Sequence, residues 1–387
     1  MNGLKKRGGL FALLLAFVLI VAACSSDSDD TTTTAAEAGG EETTTTEAMS
    51  EETTTTAAPA EETTTTAGDT MSGEGVKVGM AYDIGGRGDK SFNDSAAAGL
   101  DKAVTDYGIE TQELEPTAGG ENREENLRLL AESGFNQIFA IGFAFADGLT
   151  STATDYPDTS FAIIDAVVDL PNVASLVFAE NEGSALVGAA AALKSTTGTI
   201  GFIGGVNIGL INKFEAGYIF GAEQINPDIE VIVQYLTEPP DMSGFNDPAK
   251  GKESALAMFD QGADIVYHAA GGSGGGLFEA AKEVSESSGT KVWAIGVDSD
   301  QYLTAGEDLQ EYILTSMLKR VDVAVYATIT NFLNDGNQSG VVVFDLAADG
   351  VGYSSSGGFV DDIADQLDEL RAQIVSGDLV VPDPTAG

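Results

Sequence analysis

From Val76 onward, short apolar runs alternate with stretches in which apolar residues recur every three or four positions. Short apolar runs bounded by turn formers suit buried strands, and the three-to-four spacing suits amphipathic helices. The pattern predicts strands over 76–82, 137–141, 161–165, 199–203, 230–235, 264–268 and 291–297. It predicts helices over 91–107, 121–133, 180–194, 214–226, 248–261 and 277–287. Such alternation implies an α/β fold, with parallel sheets covered by helices on both faces. About 310 residues of it exceed one comfortable core, so two doubly wound, Rossmann-like lobes are expected. The pattern restarts at Thr199, after an Ala-rich helix, and the lobe boundary is expected there.

The chain before Val76 reads differently. Lys5, Lys6 and Arg7 precede an unbroken apolar stretch, Leu10 to Ala22. That stretch is too short to span a hydrocarbon core of about 30 Å, but it suits the apolar region of a secretory signal. The following Val21-Ala22-Ala23-Cys24-Ser25 resembles a bacterial lipobox, whose cysteine carries the lipid. Residues 1–23 are therefore expected to be a lipoprotein signal peptide, and Cys24 the anchor on the extracytoplasmic face of the cell membrane. Residues 24–74 are a Thr/Glu-rich tract, with Glu-Glu-Thr-Thr-Thr-Thr at 41–46, 51–56 and 61–66. With almost no large apolar residues it cannot offset the entropy of ordering, and it reads as a disordered tether.

Charge and rare residues exclude much chemistry. The net charge is -43, from 18 Lys plus Arg against 61 Asp plus Glu. The portion after residue 74 alone carries -33, so the acidity is not only the tether's. Such a surface does not suit nucleic acid, which needs clustered cations. One cysteine rules out an intramolecular disulfide, and one histidine, His268, makes His-rich metal sites and a Ser-His or Cys-His nucleophile system improbable. No metal or cofactor is expected, and His268 reads as a satisfied strand residue.

Candidate chemistry concentrates in loops at the strand ends. After the first strand comes Asp83-Ile84-Gly85-Gly86-Arg87-Gly88-Asp89-Lys90-Ser91-Phe92-Asn93. Its glycines permit close backbone approach, and Ser91 is a plausible helix cap. Further along stand Gly204-Gly205, Phe214-Glu215-Ala216-Gly217, Gly271 to Gly276, and Asp298-Ser299-Asp300-Gln301. Each alone is weak. Phe92 and Phe214 suit a core as well as a ligand platform, Asp298 suits a turn cap, Lys319-Arg320 a solvated pair, and Gly271–Gly276 lacks the lysine of a phosphate loop.

In order, these segments resemble the basic membrane protein (BMP) family, the purine-nucleoside-binding lipoproteins of ABC importers. The resemblance spans about 76–380 and includes Gly79-Met80-Ala81-Tyr82-Asp83, Asp89-Lys90-Ser91-Phe92-Asn93, Ile164-Asp165, Gly296-Val297-Asp298 and Thr315-Ser316-Met317-Leu318-Lys319. It implies a type I periplasmic-binding-protein fold over 75–387, with three hinge crossings. Lobe 1 is expected at about 75–197 plus 291–316, and lobe 2 at about 198–290 plus 317–387. It implies a base held between Phe92 and Phe214 and read by Asn93 and Asp165, with Asp89 in the same loop. Ribose hydroxyls would meet Asp298, Lys319 and the Gly271-Gly272 backbone. The expected partners are a purine nucleoside such as inosine, adenosine or guanosine and an ABC permease, the protein itself being a monomer. Carboxylates suit vicinal hydroxyls and aromatic faces suit bases, while no cationic cradle for phosphate is evident. A sensory ligand-binding module is the alternative; an enzyme is disfavoured, since no carboxylate pair has a recognisable catalytic spacing.

Overall fold

The buried apolar runs assemble into two six-stranded sheets. The computed structural model describes residues 72–386; the signal-like stretch, Cys24 and nearly all of the tether lie outside them. The first part of the chain gives β1 (Lys77–Ala81), α1 (Phe92–Tyr107), β2 (Glu110–Leu114), α2 (Arg123–Glu132), β3 (Gln137–Ala140), α3 (Ala146–Asp155), β4 (Ser160–Ile164), β5 (Val173–Phe178) and α4 (Glu180–Lys194). The second gives β6 (Thr199–Val206), α5 (Gly209–Ile225), β7 (Glu230–Thr237), α6 (Pro248–Asp260), β8 (Ile265–Ala269), α7 (Gly274–Ser288), β9 (Trp293–Asp298), α8 (Gln301–Thr304) and β10 (Ile313–Lys319). The chain then returns through α9 (Val321–Asp335), β11 (Gly340–Phe344), β12 (Val351–Tyr353) and α10 (Ala364–Ser376).

One sheet runs β11-β5-β4-β3-β1-β2 and is parallel throughout. The other runs β12-β10-β9-β8-β6-β7, with only β12 antiparallel. Strands β3 and β4 are buried at every position, as sheets covered on both faces require. In each lobe the first strand lies between the second and third, so the order reverses there. Ligands of open α/β sheets bind outside the strand ends at such a switch point.

The sheets correct the expected lobe boundaries. Strands β9 and β10, within the 291–316 assigned to the first lobe, hydrogen-bond in the second sheet. Conversely α9 and β11, within 317–387, return to the first lobe. The Ala-rich α4 also changes sides. Its Ala and Gly positions let it press against α5 so closely that a Cβ at Gly188 would lie 2.1 Å from the Tyr218 carbonyl oxygen, and one at Gly221 1.9 Å from that of Ala185. The boundary therefore falls before α4, at Phe178, and not at Thr199. Helix α9 docks on α1 with Tyr107 and Tyr326 stacked 5.5 Å apart.

Three crossings result, at 178–180, 319–321 and 344–351, and they lie side by side. The Ala179 amide donates to the Phe344 carbonyl, the Arg320 amide to that of Gly350, and the Leu346 amide to the Glu182 carboxylate. Phe178 and Phe344 stack at 5.1 Å. Gly204 and Gly205, readable from sequence as a tight turn, lie inside β6 and make room for the rings of Tyr235 and Phe245.

Candidate functional site

A cavity of about 700 Å³, part of it open to solvent, lies between the lobes at both switch points. Asp83 and Ile84 after β1 and Gly142 and Phe143 after β3 line it from the first lobe. Leu210 and Phe214 after β6, and Ala269 and Gly271 at β8, line it from the second.

Asp89 and Asn93 shape the first wall by satisfying each other and their own loop. The Asp89 carboxylate accepts the backbone amides of Ser91, Asn93 and Asp94 and the Asn93 side-chain amide, all at 2.9–3.1 Å. It thus caps the first turn of α1 with all four acceptor positions engaged. Burial pushes its pKa up against those bonds. Asn93 accepts from the Asp83 amide at 3.2 Å through Oδ1. Both residues border the cavity, in a loop that is already internally bonded.

Two carboxylates stand at matching places in the two sheets. Asp165 directly follows β4 and Asp298 ends β9, both in the left-handed backbone region, at φ 68° and 63°. Aspartate tolerates that conformation better than most residues, and it turns each carboxylate off its strand end. Asp298 accepts from Ser91 Oγ at 2.5 Å, which joins the lobes. Ser299 Oγ donates to the Ser91 carbonyl and Gln301 Nε2 to that of Lys90, each at 3.0 Å, and the lobes therefore stand closed. Burial pushes the Asp298 pKa up to about 7, against the pull of Lys319 and the Ser91 bond.

Lys319 occupies the floor. Only 2% exposed, its ammonium lies 2.7 Å from both oxygens of Asp165 and 3.1 Å from Glu180 Oε1. Lys213 of α5 binds the other Glu180 oxygen and the Phe178 carbonyl. Burial opposes the charge on Lys319, but Asp165, Glu180 and Asp298 outweigh it and hold the ammonium above the usual lysine range. Asp165 shifts upward, burial prevailing over its lysine partner. Three rings face the ammonium: Phe92 at 5.3 Å, Phe178 at 5.0 Å and Phe214 at 5.6 Å.

The structure thus gathers Asp89, Phe92, Asn93, Asp165, Phe214, Gly271, Asp298 and Lys319 around one cavity. Gly272 stands beside it, where a Cβ would come within 3.8 Å of Asp89. Phe214 serves as core as well as cavity wall, being 3% exposed and part of the main apolar cluster, whereas Phe92 is half-buried. His268 is buried and neutral, its pKa lowered to about 4 by burial. It bonds Gln301 at 2.9 Å through Nε2, but Nδ1 has no partner among the described residues. Sequence reasoning missed Glu180 and Lys213, which look like ordinary helix-end and helix-face charges, and also Arg123, Phe143 and Phe245. A stricter search of every strand end would have found Phe143, three residues after β3.

Two parallel lobes, three adjacent crossings and one cavity between them define a solute-binding protein of the type I periplasmic class. A crystal structure of solute-binding proteins of an ABC transporter system from Aeropyrum pernix superposes with a TM-score of 0.69 at 30% identity, covering 80% of this chain and 94% of that one. The sequence pattern of the Bmp family, described as ABC transporter substrate-binding protein PnrA-like, matches residues 76–385. The chain is 34% identical to a CD4+ T-cell-stimulating antigen of Listeria innocua, over 82% of this chain and 91% of that protein. It is 35% identical to the ABC transporter nucleoside-binding protein BmpA of Lactococcus lactis, over 79% and 89% respectively. An uncharacterized lipoprotein of Pyrococcus furiosus is 34% identical over 74% and 72%. The chain belongs to the Bmp family of ABC transporter substrate-binding proteins. Its role is binding, not catalysis, and it implies a captured solute and a permease that receives it. No helix among the described residues is long and apolar enough to cross a membrane.

Proposed function

We propose that the cavity captures a purine nucleoside, with the protein held at the extracytoplasmic face by lipid on Cys24. The observation that carries this reading is the pairing of Phe92 and Phe214, one ring from each lobe, around the Lys319 ammonium, with Asp298 at the same cavity. A planar base fits between rings, and ribose hydroxyls suit a carboxylate and an ammonium. A nucleoside-binding relative at 35% identity supports it. The acidic surface and the absence of a free cation cluster in the sequence favour a nucleoside over a nucleotide.

Titration calorimetry of the protein freed of bound ligand tests this. Inosine, guanosine or adenosine should bind, the free bases and nucleoside monophosphates poorly. The 2′-deoxy analogue should lose about 1–3 kcal/mol, the cost of a polar group left unpaired. Equal affinity for inosine and hypoxanthine would remove the sugar contacts from the assignment, and no nucleoside binding would reject it. For the anchor, Cys24→Ser should release the protein from the membrane without altering affinity; retention with processing unchanged counts against lipidation. A signalling partner in place of a permease would redirect the reading to a sensor.

A further inference from the structure

The geometry points to Arg123, oriented by Asp83, as the residue that selects nucleosides with an oxo group at C6 of the purine. This deepens the nucleoside reading and rests on it. Arg123 opens α2, and its side chain is 17% exposed beside the cavity, with Asp83 at 15%. Its Nε donates to Asp83 Oδ1 at 2.9 Å, and Nη2 binds the same oxygen. The Ile84 amide donates to that oxygen too, at 2.7 Å. All the bonding of the pair thus falls on one oxygen and two nitrogens. Among the described residues, Arg123 Nη1 and Asp83 Oδ2 have no hydrogen-bond partner.

The pair sits where a base edge would lie. The Asp83 amide donates to Asn93 Oδ1, so it adjoins the helix start that carries Phe92. Space beside it is kept open for the pair, since a Cβ at Gly142 would approach Asp83 Oδ2 to 2.9 Å. The Arg123 guanidinium lies over the Phe145 ring at 5.9 Å, which holds its plane on the first-lobe side. Arg123 therefore offers one charged donor, and Asp83 one acceptor oxygen, to whatever fills the closed cavity. A 6-oxopurine carries a carbonyl acceptor beside its N1–H donor, and meets both. Purine riboside, bare at C6, offers the guanidinium only its N1 lone pair and offers Asp83 no donor. Adenosine carries a donor at C6 and an acceptor at N1, so it meets the pair only with the two roles exchanged. A site with a buried polar group discriminates most strongly against the analogue that cannot pair it.

The test is calorimetric titration of the full-length protein and of Arg123→Met with inosine, guanosine, adenosine and purine riboside. In the unaltered protein, inosine and guanosine should bind about ten- to a hundredfold more tightly than purine riboside, as expected for a bond to a charged group. Adenosine should be weaker than inosine. Arg123→Met should erase most of that preference by weakening the oxo nucleosides far more than purine riboside. Arg123→Lys, which keeps the charge but not the fork, covers the case that Arg123→Met misfolds, and should retain only part of the preference. A preference that survives both substitutions, or equal losses for all four ligands, overturns the role of Arg123 while leaving nucleoside capture standing. If the unaltered protein binds none of the four, both the selectivity and the nucleoside reading fall.

Discussion

The wall and the floor of the cavity are built on opposite principles. The wall, around Asp89 and Asn93, comes from one loop and the helix it enters, and its polar atoms bond one another. The floor joins four separate elements: Asp165 after β4, Glu180 at the start of α4, Lys213 on α5 and Lys319 at the end of β10. Its charges neutralise each other across the lobes. The wall is preorganised by local sequence and survives opening of the cleft. Of the floor, only Asp165 comes from the first lobe, so the Lys319–Glu180–Lys213 part lies within the second. The Lys319–Asp165 contact forms only where the lobes meet, and it couples solute binding to closure. Changes in the floor should therefore disturb stability and binding together, and changes in the wall mainly binding.

Lys319→Met gives the largest effect. It strands Asp165 and half of Glu180 in a buried site, and breaking a buried pair by removing one partner costs about 3–5 kcal/mol. Thermal melts without ligand should show a marked loss of stability, and titration should show binding abolished or nearly so. Unchanged melting with lost affinity would mean that the floor serves the ligand alone and that the contrast with the wall is wrong.

The two rings sharpen the same contrast with smaller effects. Phe214, buried in the main cluster, should lose about 3 kcal/mol of apo stability on truncation to Ala, the low end for a core phenylalanine. Phe92, half-buried at the wall, should lose clearly less. Both should weaken nucleoside binding by about 1–3 kcal/mol if each stacks on a base face. Comparable stability losses for the two would erase the asymmetry.

What the sequence disclosed follows the same division. Asp298 is legible because a carboxylate directly after an apolar run marks a strand end, whereas Asp165 is marked only by the family resemblance. The Asp83–Asn93 loop is legible because its glycines are local, but the cap is Asp89 and not the expected Ser91, whose hydroxyl is given to Asp298. Strand β2, Glu-Thr-Gln-Glu-Leu, was missed because an edge strand has no continuous apolar run. The swap of β9 and β10 into the second sheet was missed because sheet membership depends on partners far along the chain. Lys319 and Asp165 are 154 positions apart, and no local spacing announces their contact. Arg123 looks like a solvated charge in the first turn of a helix until Asp83 is seen against it.

Asp298 senses both regions, accepting from Ser91 on the wall and feeling the charge of Lys319 on the floor, and its titration gives the smallest and finest measurement. Its folded pKa of about 7 lies above the usual aspartate value of about 3.9. Between those values the unfolded chain has lost the proton and the folded protein keeps it, so the folded state binds more protons. The contribution of Asp298 to stability is therefore fully present below about pH 4. It declines as pH rises and is spent above about pH 7. Asp298→Asn cannot titrate, so the difference in apo melting temperature between wild type and variant should drift against the wild type across that window and then level off. Affinity should move the other way, because ribose hydroxyls donate to the ionised carboxylate: wild-type binding should tighten as pH rises from about 6 to 8, and Asp298→Asn should bind weakly with no such slope. A flat difference in melting temperature would mean that Lys319 keeps Asp298 ionised throughout. The aspartate would then belong with the charged floor, and the wall would meet it only through Ser91.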